Sequence, residues 1–236
     1  MATFLVISDV HANYPALQAV LDDAPATDGF IFCGDAVGLC GFPAATVETL
    51  RDLFAEDDQF ALQGNHDLSV IEWGEGHVND EALSLFELDT TLNGLTHEQQ
   101  VWVNDRPTYV ENRELGVQVA HAWPTPEKSS GLERGNHGVQ PGDFVTVGAR
   151  APEWVDIICT GHTHTQHGVD CRRFGHGHDV TVVNPGCVGY PVDRGRADYA
   201  VIDTKDASYE LHTAEYDSRP VLEQLRVLDV PKQWWR

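Results

Sequence analysis

Six short apolar runs constrain this chain more than any other feature: TFLVI (3–7), GFIFC (29–33), QFALQ (59–63), GVQVA (116–120), DIICT (156–160) and VTVV (180–183). Most are rich in β-branched residues, and all are too short for a core helix and of the length of strands buried on both faces. Helical patterns lie between the first three. Asn13 is placed to cap a helix from Tyr14, with Pro15 in its first turn and Leu17, Val20 and Leu21 on one face, and residues 43–55 repeat the arrangement. Strand, helix, strand, helix, strand through residue 63 predicts two right-handed crossovers and parallel pairing.

The middle of the chain follows another pattern. Residues 79–104 carry two amphipathic helix patterns broken at Asn93-Gly94, which read as an inserted helical pair. Residues 123–143 are dense in Gly, Pro and Ser and read as a long loop, of a length that usually serves function. Residues 196–216 read as a hairpin turning at Lys205-Asp206-Ala207-Ser208, which points to a second, mainly antiparallel sheet. A length prior of roughly 100–200 residues per domain does not force a division, so residues 1–236 are expected to form one domain.

The chemistry lies just past the strands. Asp9 and His11, Asp35, Asn65-His66-Asp67, His121, and His162 with His164 each follow one of the apolar runs. Open α/β sheets bind ligands outside the carboxyl ends of their strands, so these residues are expected to converge on one edge. Carboxylate, imidazole and amide without thiolate suit a borderline divalent cation: Mn2+, Fe2+, Co2+, Ni2+ or Zn2+. If strand geometry continued past each run, alternation would aim Asp9 and His11 one way, and His162 and His164 likewise. About seven potential ligands exceed the roughly four that one zinc-type ion takes, so two ions are expected. Glycines at 34, 64 and 161 would let the backbone come close.

The ordered set DxH, GD, GNHD, H and GHTH, followed by Asn184-Pro185-Gly186, resembles the calcineurin-like metallophosphoesterases, and most of all their small prokaryotic phosphodiesterases. The resemblance implies an α/β protein: a four-layer α/β/β/α sandwich of two mixed sheets, with the metal site at the carboxyl ends of the strands. It implies one divalent ion held by Asp9, His11, Asp35 and His164 and another by Asp35, Asn65, His121 and His162, with Asp35 bridging and Mn2+ the foremost candidate. The implied reaction is hydrolysis of a phosphate ester, a diester before a monoester, by a hydroxide bridging the metals. His66 is then the catalytic side chain that stabilises charge or protonates the leaving oxygen. Asp67 is expected behind the ligands or as a helix cap, while His137 and His167 stand where a substrate could be reached. Nucleotides and nucleic acids are among the substrates left open. Two other readings remain: a phosphomonoesterase, and a non-catalytic scaffold of the same fold, which would be expected to have lost ligands or His66.

One departure narrows the activity. Protein phosphatases of this superfamily carry GDxxDRG, whose second Asp orients the catalytic histidine and whose Arg binds phosphate; here the stretch is Gly34-Asp35-Ala36-Val37-Gly38-Leu39-Cys40-Gly41. That speaks against protein phosphatase activity and leaves the partner of His66 unassigned.

Taken singly, each motif has a plainer reading. Asp35 and GNHD could be turns, His121 a satisfied core histidine, and His162 and His164 ordinary strand ends. Gly175-His176-Gly177-His178 reads as a hairpin turn, His77, His97 and His212 as surface residues, and Asn184-Pro185-Gly186 as a turn before a site wall. Trp234 and Trp235 could cover the core or form a subunit contact, so a homo-oligomer is compatible with the chain.

Charge bears on the setting. With 15 basic and 37 acidic residues the formal charge is −22, and only Lys128, Lys205 and Lys232 are lysines. Depleted lysine with abundant carboxylate is the pattern of salt-adapted proteins and points to a halophilic source, although an acidic cytosolic enzyme has the same sign. At roughly 1 M salt the Debye length is about 3 Å, so this charge does not exclude a polyanionic substrate. The five cysteines form no CxxC pair, which argues against a disulfide framework. The start MATFLVISDV lacks a basic leader and no run of about 18 apolar residues occurs, so a soluble cytoplasmic protein with no membrane partner is expected. Because salt screens self-repulsion, the melting temperature should rise between low and molar KCl. A melting curve unchanged by KCl would remove the case for salt adaptation.

Overall fold

The computed structural model describes residues 2–56, 59–75, 85–131, 137–173, 179–228, 230 and 235. Strand β1 (Thr3–Ile7) pairs in parallel with β2 (Gly29–Phe32), Val6 opposite Ile31, through helix α1 (Tyr14–Asp23). Asn13 opens α1 as expected, its Oδ1 accepting the Ala16 amide at 3.2 Å. Helix α2 (Pro43–Leu53) then crosses toward residues 59–63. That third predicted strand shrinks to a single parallel bridge between Phe32 and Ala61. Beyond it the Gln63 amide turns to the Pro107 carbonyl at 3.0 Å, although Leu62 stays in the core.

Three helices follow: α3 (Asn65–Gly74), α4 (Leu85–Gly94) and α5 (His97–Asn104). The last two form the inserted pair, with Thr96 and Gln99 making a reciprocal capping box at the start of α5. Residues 79–84 of the predicted pair lie outside the described residues. Helix α3 is not among the predicted elements; its first turn is the GNHD motif itself, whose polar residues mask a helical start.

The remaining elements are β3 (Tyr109–Asn112), β4 (Val117–Ala120), α6 (Phe144–Arg150), β5 (Ile157–Cys159), β6 (His167–Cys171), β7 (Val180–Asn184), β8 (Arg196–Asp203), β9 (Ser208–Glu215) and α7 (Arg219–Val227). One sheet has the order β2-β1-β8-β9 and the other β3-β4-β5-β7-β6. The hairpin β8–β9 forms as predicted but joins the first sheet, β8 lying antiparallel to β1 with Leu5 opposite Val201. The reason is visible in β8: Tyr199 packs on one face and Ala200 and Ile202 on the other, so the strand needs an interior place. The second sheet is therefore mixed, with parallel β4, β5 and β7 flanked by antiparallel β3 and β6. Neither flank is among the six apolar runs, because YVEN and HGVDC are edge strands half-buried along most of their length.

Strand alternation builds the layers. Leu5 and Ile7 pack on Leu17 and Val20 of α1 and Val47 and Leu50 of α2. Phe4, Val6 and Ile31 face the other way, onto Val117, Val119, Ile157, Cys159 and Val183 of the second sheet. Ile158, Val180 and Val182 then meet Val147 of α6, which completes an α/β/β/α sandwich. Trp235 packs with Val221, Leu225 and Val230 as a core cover, while Trp234 and the predicted turn at 175–178 lie outside the described residues. Of the long loop, residues 123–131 and 137–143 are described and hold only short 3-10 turns at Pro126–Lys128 and Pro141–Asp143. No helix of the described residues is long and apolar enough to cross a membrane.

Leu17 is wholly buried between α1 and the first sheet, whereas Val101 on α5 is 42% exposed. Leu17→Ala should cost about 2–5 kcal/mol by urea unfolding and Val101→Ala no more than about 0.5 kcal/mol. Equal losses would contradict this placement of the core.

Candidate metal centre

The polar residues past the strands reach one edge by an unexpected backbone route. Asp9, His11, Asp35, His162 and His164 all have left-handed φ, between 51° and 66°. Strand alternation therefore stops before them, and the expectation that it aims Asp9 with His11, and His162 with His164, is overturned. Such conformations cost about 1 kcal/mol or more each in non-glycine residues and persist only where the surroundings impose them. Here the amides of Asp9, His11 and Ala12 donate to the carbonyls of Gly34, Asp35 and Ala36 at 2.9, 3.0 and 2.8 Å. On the other side, Val188 and Gly189 amides donate to Ser8 and Asp9 carbonyls at 3.1 and 2.9 Å. Glycine is required twice: a Cβ on Gly64 would enter the Asp35 carboxylate, and one on Gly161 would strike Ser8 Oγ.

The convergent side chains fall into two groups. In one, Asp9 Oδ1 lies 3.2 Å from His164 Nε2 and 3.8 Å from His11 Nε2, and the two imidazole nitrogens are 3.0 Å apart. In the other, His121 Nε2 lies 3.0 Å from Asn65 Oδ1, 3.3 Å from Asp35 Oδ2 and 3.3 Å from His162 Nδ1, which is itself 2.8 Å from Asn65 Oδ1. Asp35 belongs to both neighbourhoods, grouping with His11 and His66 and, separately, with Asp9 and His121. His162 and His164 thus serve different groups, which the left-handed turn at each of them permits.

These atoms fit divalent cations. His121 Nδ1 faces the Cys33 carbonyl at 2.9 Å and must donate its proton there, so in the neutral ring Nε2 offers a lone pair to a neighbourhood of oxygen and nitrogen acceptors. Acceptors crowded together without hydrogens are stable only around positive charge. The electrostatics of the site agree. Burial would lower His121 and His164, but Asp35 overrides it at His121, pushing that imidazole up to about 9, and Cys187 and Asp9 hold His164 well above its usual value. Burial alone would raise Asp9 and Asp35, yet the facing histidines hold both carboxyls well below the usual range. The pocket therefore demands cations, and protons and metal ions compete for it.

His66 and Asp67 stand beside these groups. The His66 amide donates to Asp35 Oδ1 at 2.8 Å, and its ring meets His11 edge to face with centroids 4.7 Å apart. Burial lowers its affinity for a proton. Among the described residues no carboxylate hydrogen-bonds the ring to orient it. Gly38, at the place of the second Asp of GDxxDRG, packs so closely that a Cβ there would lie 2.8 Å from His66 Nδ1. Asp67 is buried below, where Oδ2 accepts the Asp35 and Gly64 amides at 2.9 and 3.0 Å and Oδ1 accepts the Val37 amide at 3.1 Å. Burial and the nearby Asp35 push its carboxyl up to about 7.

Two sequence candidates do not join the cluster. His137 is exposed, although its neighbour Gly138 packs against Thr163 and His162. His167 opens β6, its Nδ1 2.9 Å from the Thr165 carbonyl and its ring 5.2 Å from that of Phe144. Asn184 makes more than a turn: its Nδ2 donates to the Gly161 carbonyl at 2.7 Å and ties the GHTH loop to β7. One residue at the cluster is absent from the sequence candidates. Cys187 has its sulfur within 4.8 Å of ring nitrogens of His11 and His164. Its signal is position, since it follows the VTVV run on the same strand-end edge, whereas cysteine spacing carries no trace of it.

Comparison with known proteins agrees with this geometry. Residues 3–207 match the calcineurin-like phosphoesterase superfamily domain. An uncharacterized protein of Methanocaldococcus jannaschii is 28% identical over 239 residues, covering 93% of this chain and 90% of its own. The crystal structure of a metallophosphoesterase from Sphaerobacter thermophilus superposes with a TM-score of 0.76 at 25% identity, over 99% of this chain and 96% of that one. A structure from Pyrococcus horikoshii OT3 gives 0.77 at 18% identity over 100% and 96%, a likeness of fold. Since the family match runs from β1 through β8 and takes in every convergent residue from Asp9 to His164, the chain belongs to the calcineurin-like phosphoesterase superfamily and is a metal-dependent phosphoesterase.

Proposed function

We propose that the protein hydrolyses phosphodiesters, with Asp9, His11, Asp35 and His164 holding one divalent cation, Asp35, Asn65, His121 and His162 holding the other, and Asp35 shared. The observation that carries this is the crowding of acceptor atoms in two groups joined by one carboxylate. A pair of divalent cations held there would activate a water near neutral pH and would neutralise phosphate oxygens. Mn2+ is the first ion to test, since imidazole, carboxylate and amide oxygen are donors it accepts. The remaining work falls to the chain. Asp67 fixes the 35–37 backbone so that Asp35 stays aimed, and Asp9 Oδ2 accepts the His162 amide at 3.1 Å, holding the two strand-end loops together.

His66 is the group we assign to the leaving oxygen. Its ring lies against His11 and its amide bonds Asp35, within reach of both groups, and burial lowers its hold on a proton. The preference for a diester has a charge argument. The convergent set contains histidine, carboxylate and amide but, among the described residues, no guanidinium or ammonium, and a singly charged diester asks less of cationic side chains than a dianionic monoester. Nucleotide and nucleic-acid diesters are the classes to screen first.

The protein should be stripped of metal, reloaded with Mn2+, Ni2+, Zn2+ or Mg2+ in molar salt, and assayed on bis- and mono-nitrophenyl phosphate. Faster turnover of the diester is expected; a monoester preference overturns that choice, and no hydrolysis with any ion favours the scaffold. Asp35→Ala should lose the paired ions in elemental analysis. His66→Ala should keep both and lose about 10²–10⁴-fold in turnover. Metal loss in the His66 variant would refute its role.

A further inference from the structure

The two halves of the centre are chemically unequal. The group of Asn65, His121, His162 and Asp35 offers only nitrogen and oxygen, whereas that of Asp9, His11 and His164 also borders a thiol. Cys187 is 3% exposed, and its sulfur, a His11 nitrogen and a His164 nitrogen all lie within 4.8 Å of one another. Tetrahedral metal sites with metal–nitrogen bonds of about 2.0–2.1 Å and metal–sulfur bonds of about 2.3 Å need spacings within that bound. A second observation points into the same space. Asp9 Oδ1 is wholly buried and makes no hydrogen bond, standing 3.2 Å from His164 Nε2 and 3.8 Å from His11 Nε2.

The sulfur is also held in place. Val188 and Gly189 amides bond the Ser8 and Asp9 carbonyls, which pins the segment after Asn184-Pro185-Gly186 to the Asp9 loop. The Tyr190 amide donates to Sγ at 3.1 Å and Sγ–H donates to the Asp9 carbonyl at 3.0 Å. In the first bond the amide donor would stabilise negative charge on the sulfur once a cation is bound. The second supplies the proton that would leave.

We infer that Cys187 is a sulfur donor to the ion in the Asp9/His11/His164 half and makes that half select a thiophilic divalent cation such as Zn2+ or Co2+ over Mn2+ or Mg2+. Coordination forms one metal–sulfur bond and releases the thiol proton to solvent, with no electron transferred. Soft thiolate favours such ions, whereas carboxylate and amide oxygen alone do not distinguish them as strongly. The inference rests on the dinuclear reading above and sharpens it: the all-nitrogen-and-oxygen half keeps Mn2+ as its first candidate, and the two halves load differently.

Cobalt tests this directly. Metal-free full-length protein is titrated with Co2+, bound metal is counted by elemental analysis, and the spectrum is read for d–d bands and for a near-ultraviolet sulfur-to-cobalt charge-transfer band. The wild type should show the band. Cys187→Ser, which can keep both hydrogen bonds, should bind cobalt without it, and Cys40→Ser should retain it. Competition should show Cys187→Ser losing about 10–100-fold in preference for Zn2+ over Mn2+. Cobalt bound in pairs without the band, or a band that survives Cys187→Ser, overturns the inference and leaves the dinuclear reading standing; absence of cobalt uptake overturns both. Cadmium NMR of the wild type probes the donor without any substitution, since sulfur ligation moves the resonance strongly downfield; a resonance that stays in the nitrogen-and-oxygen range refutes it.

Discussion

Three backbone hydrogen bonds between the loop after β1 and the loop after β2 hold the centre together. The amides of Asp9, His11 and Ala12 reach the carbonyls of Gly34, Asp35 and Ala36, and in doing so keep Asp9, His11 and Ala12 in left-handed conformations they would not adopt alone. The parallel pairing of β1 with β2 places the two loops side by side, and the inter-sheet core of Phe4, Val6, Ile31 and the β4, β5 and β7 residues brings His121, His162 and His164 to the same edge. The strain at each of these positions is local. What opposes it is the packing of both sheets, so the geometry of the centre is a property of the whole sandwich.

Electrostatics sets the second constraint. Two carboxylates, Asp9 and Asp35, are buried to 1% exposure or less, and an unpaired buried carboxylate would be costly. The histidines answer that charge, which is why His121 and His164 hold protons more tightly than usual while buried His11 and half-buried His66, crowded by other imidazoles, hold them less tightly. A site that divides its histidines in this way is prepared for cations of higher charge than a proton. Asp67 belongs to the same balance from below: it accepts backbone amides and meets no cationic side chain among the described residues, and its carboxyl is pushed up to about 7.

Much of this is legible in the chain because strand-end placement survives translation into sequence. β1, β2, β4, β5 and β7 are continuous apolar runs, and each is followed by residues that converge. What is not legible depends on partners distant in sequence. β3 and β6 are half-exposed edges with no apolar run, residues 59–63 keep only one bridge, and β8 joins β1 because both its faces are buried, a fact that hairpin periodicity does not carry. The left-handed turns at Asp9, His11, Asp35, His162 and His164 are hidden as well, since only glycine announces positive φ in a sequence. Cys187 escapes for a third reason: thiol spacing is informative along the chain, whereas its relation to His11 exists only across it.

Gly38 makes the same point at His66. Where GDxxDRG would supply an acid to orient the histidine, this chain has a glycine with φ of 127° whose missing side chain leaves room for the ring. The imidazole is then fixed by shape: by the backbone bond to Asp35, by the edge of His11 and by the close face of Gly38. A histidine held by an acid has its proton affinity raised by that acid, whereas one held by packing and partly shielded from water has it lowered. The glycine therefore does more than fill a gap in a motif. It leaves the proton affinity of His66 to its surroundings, which lower it.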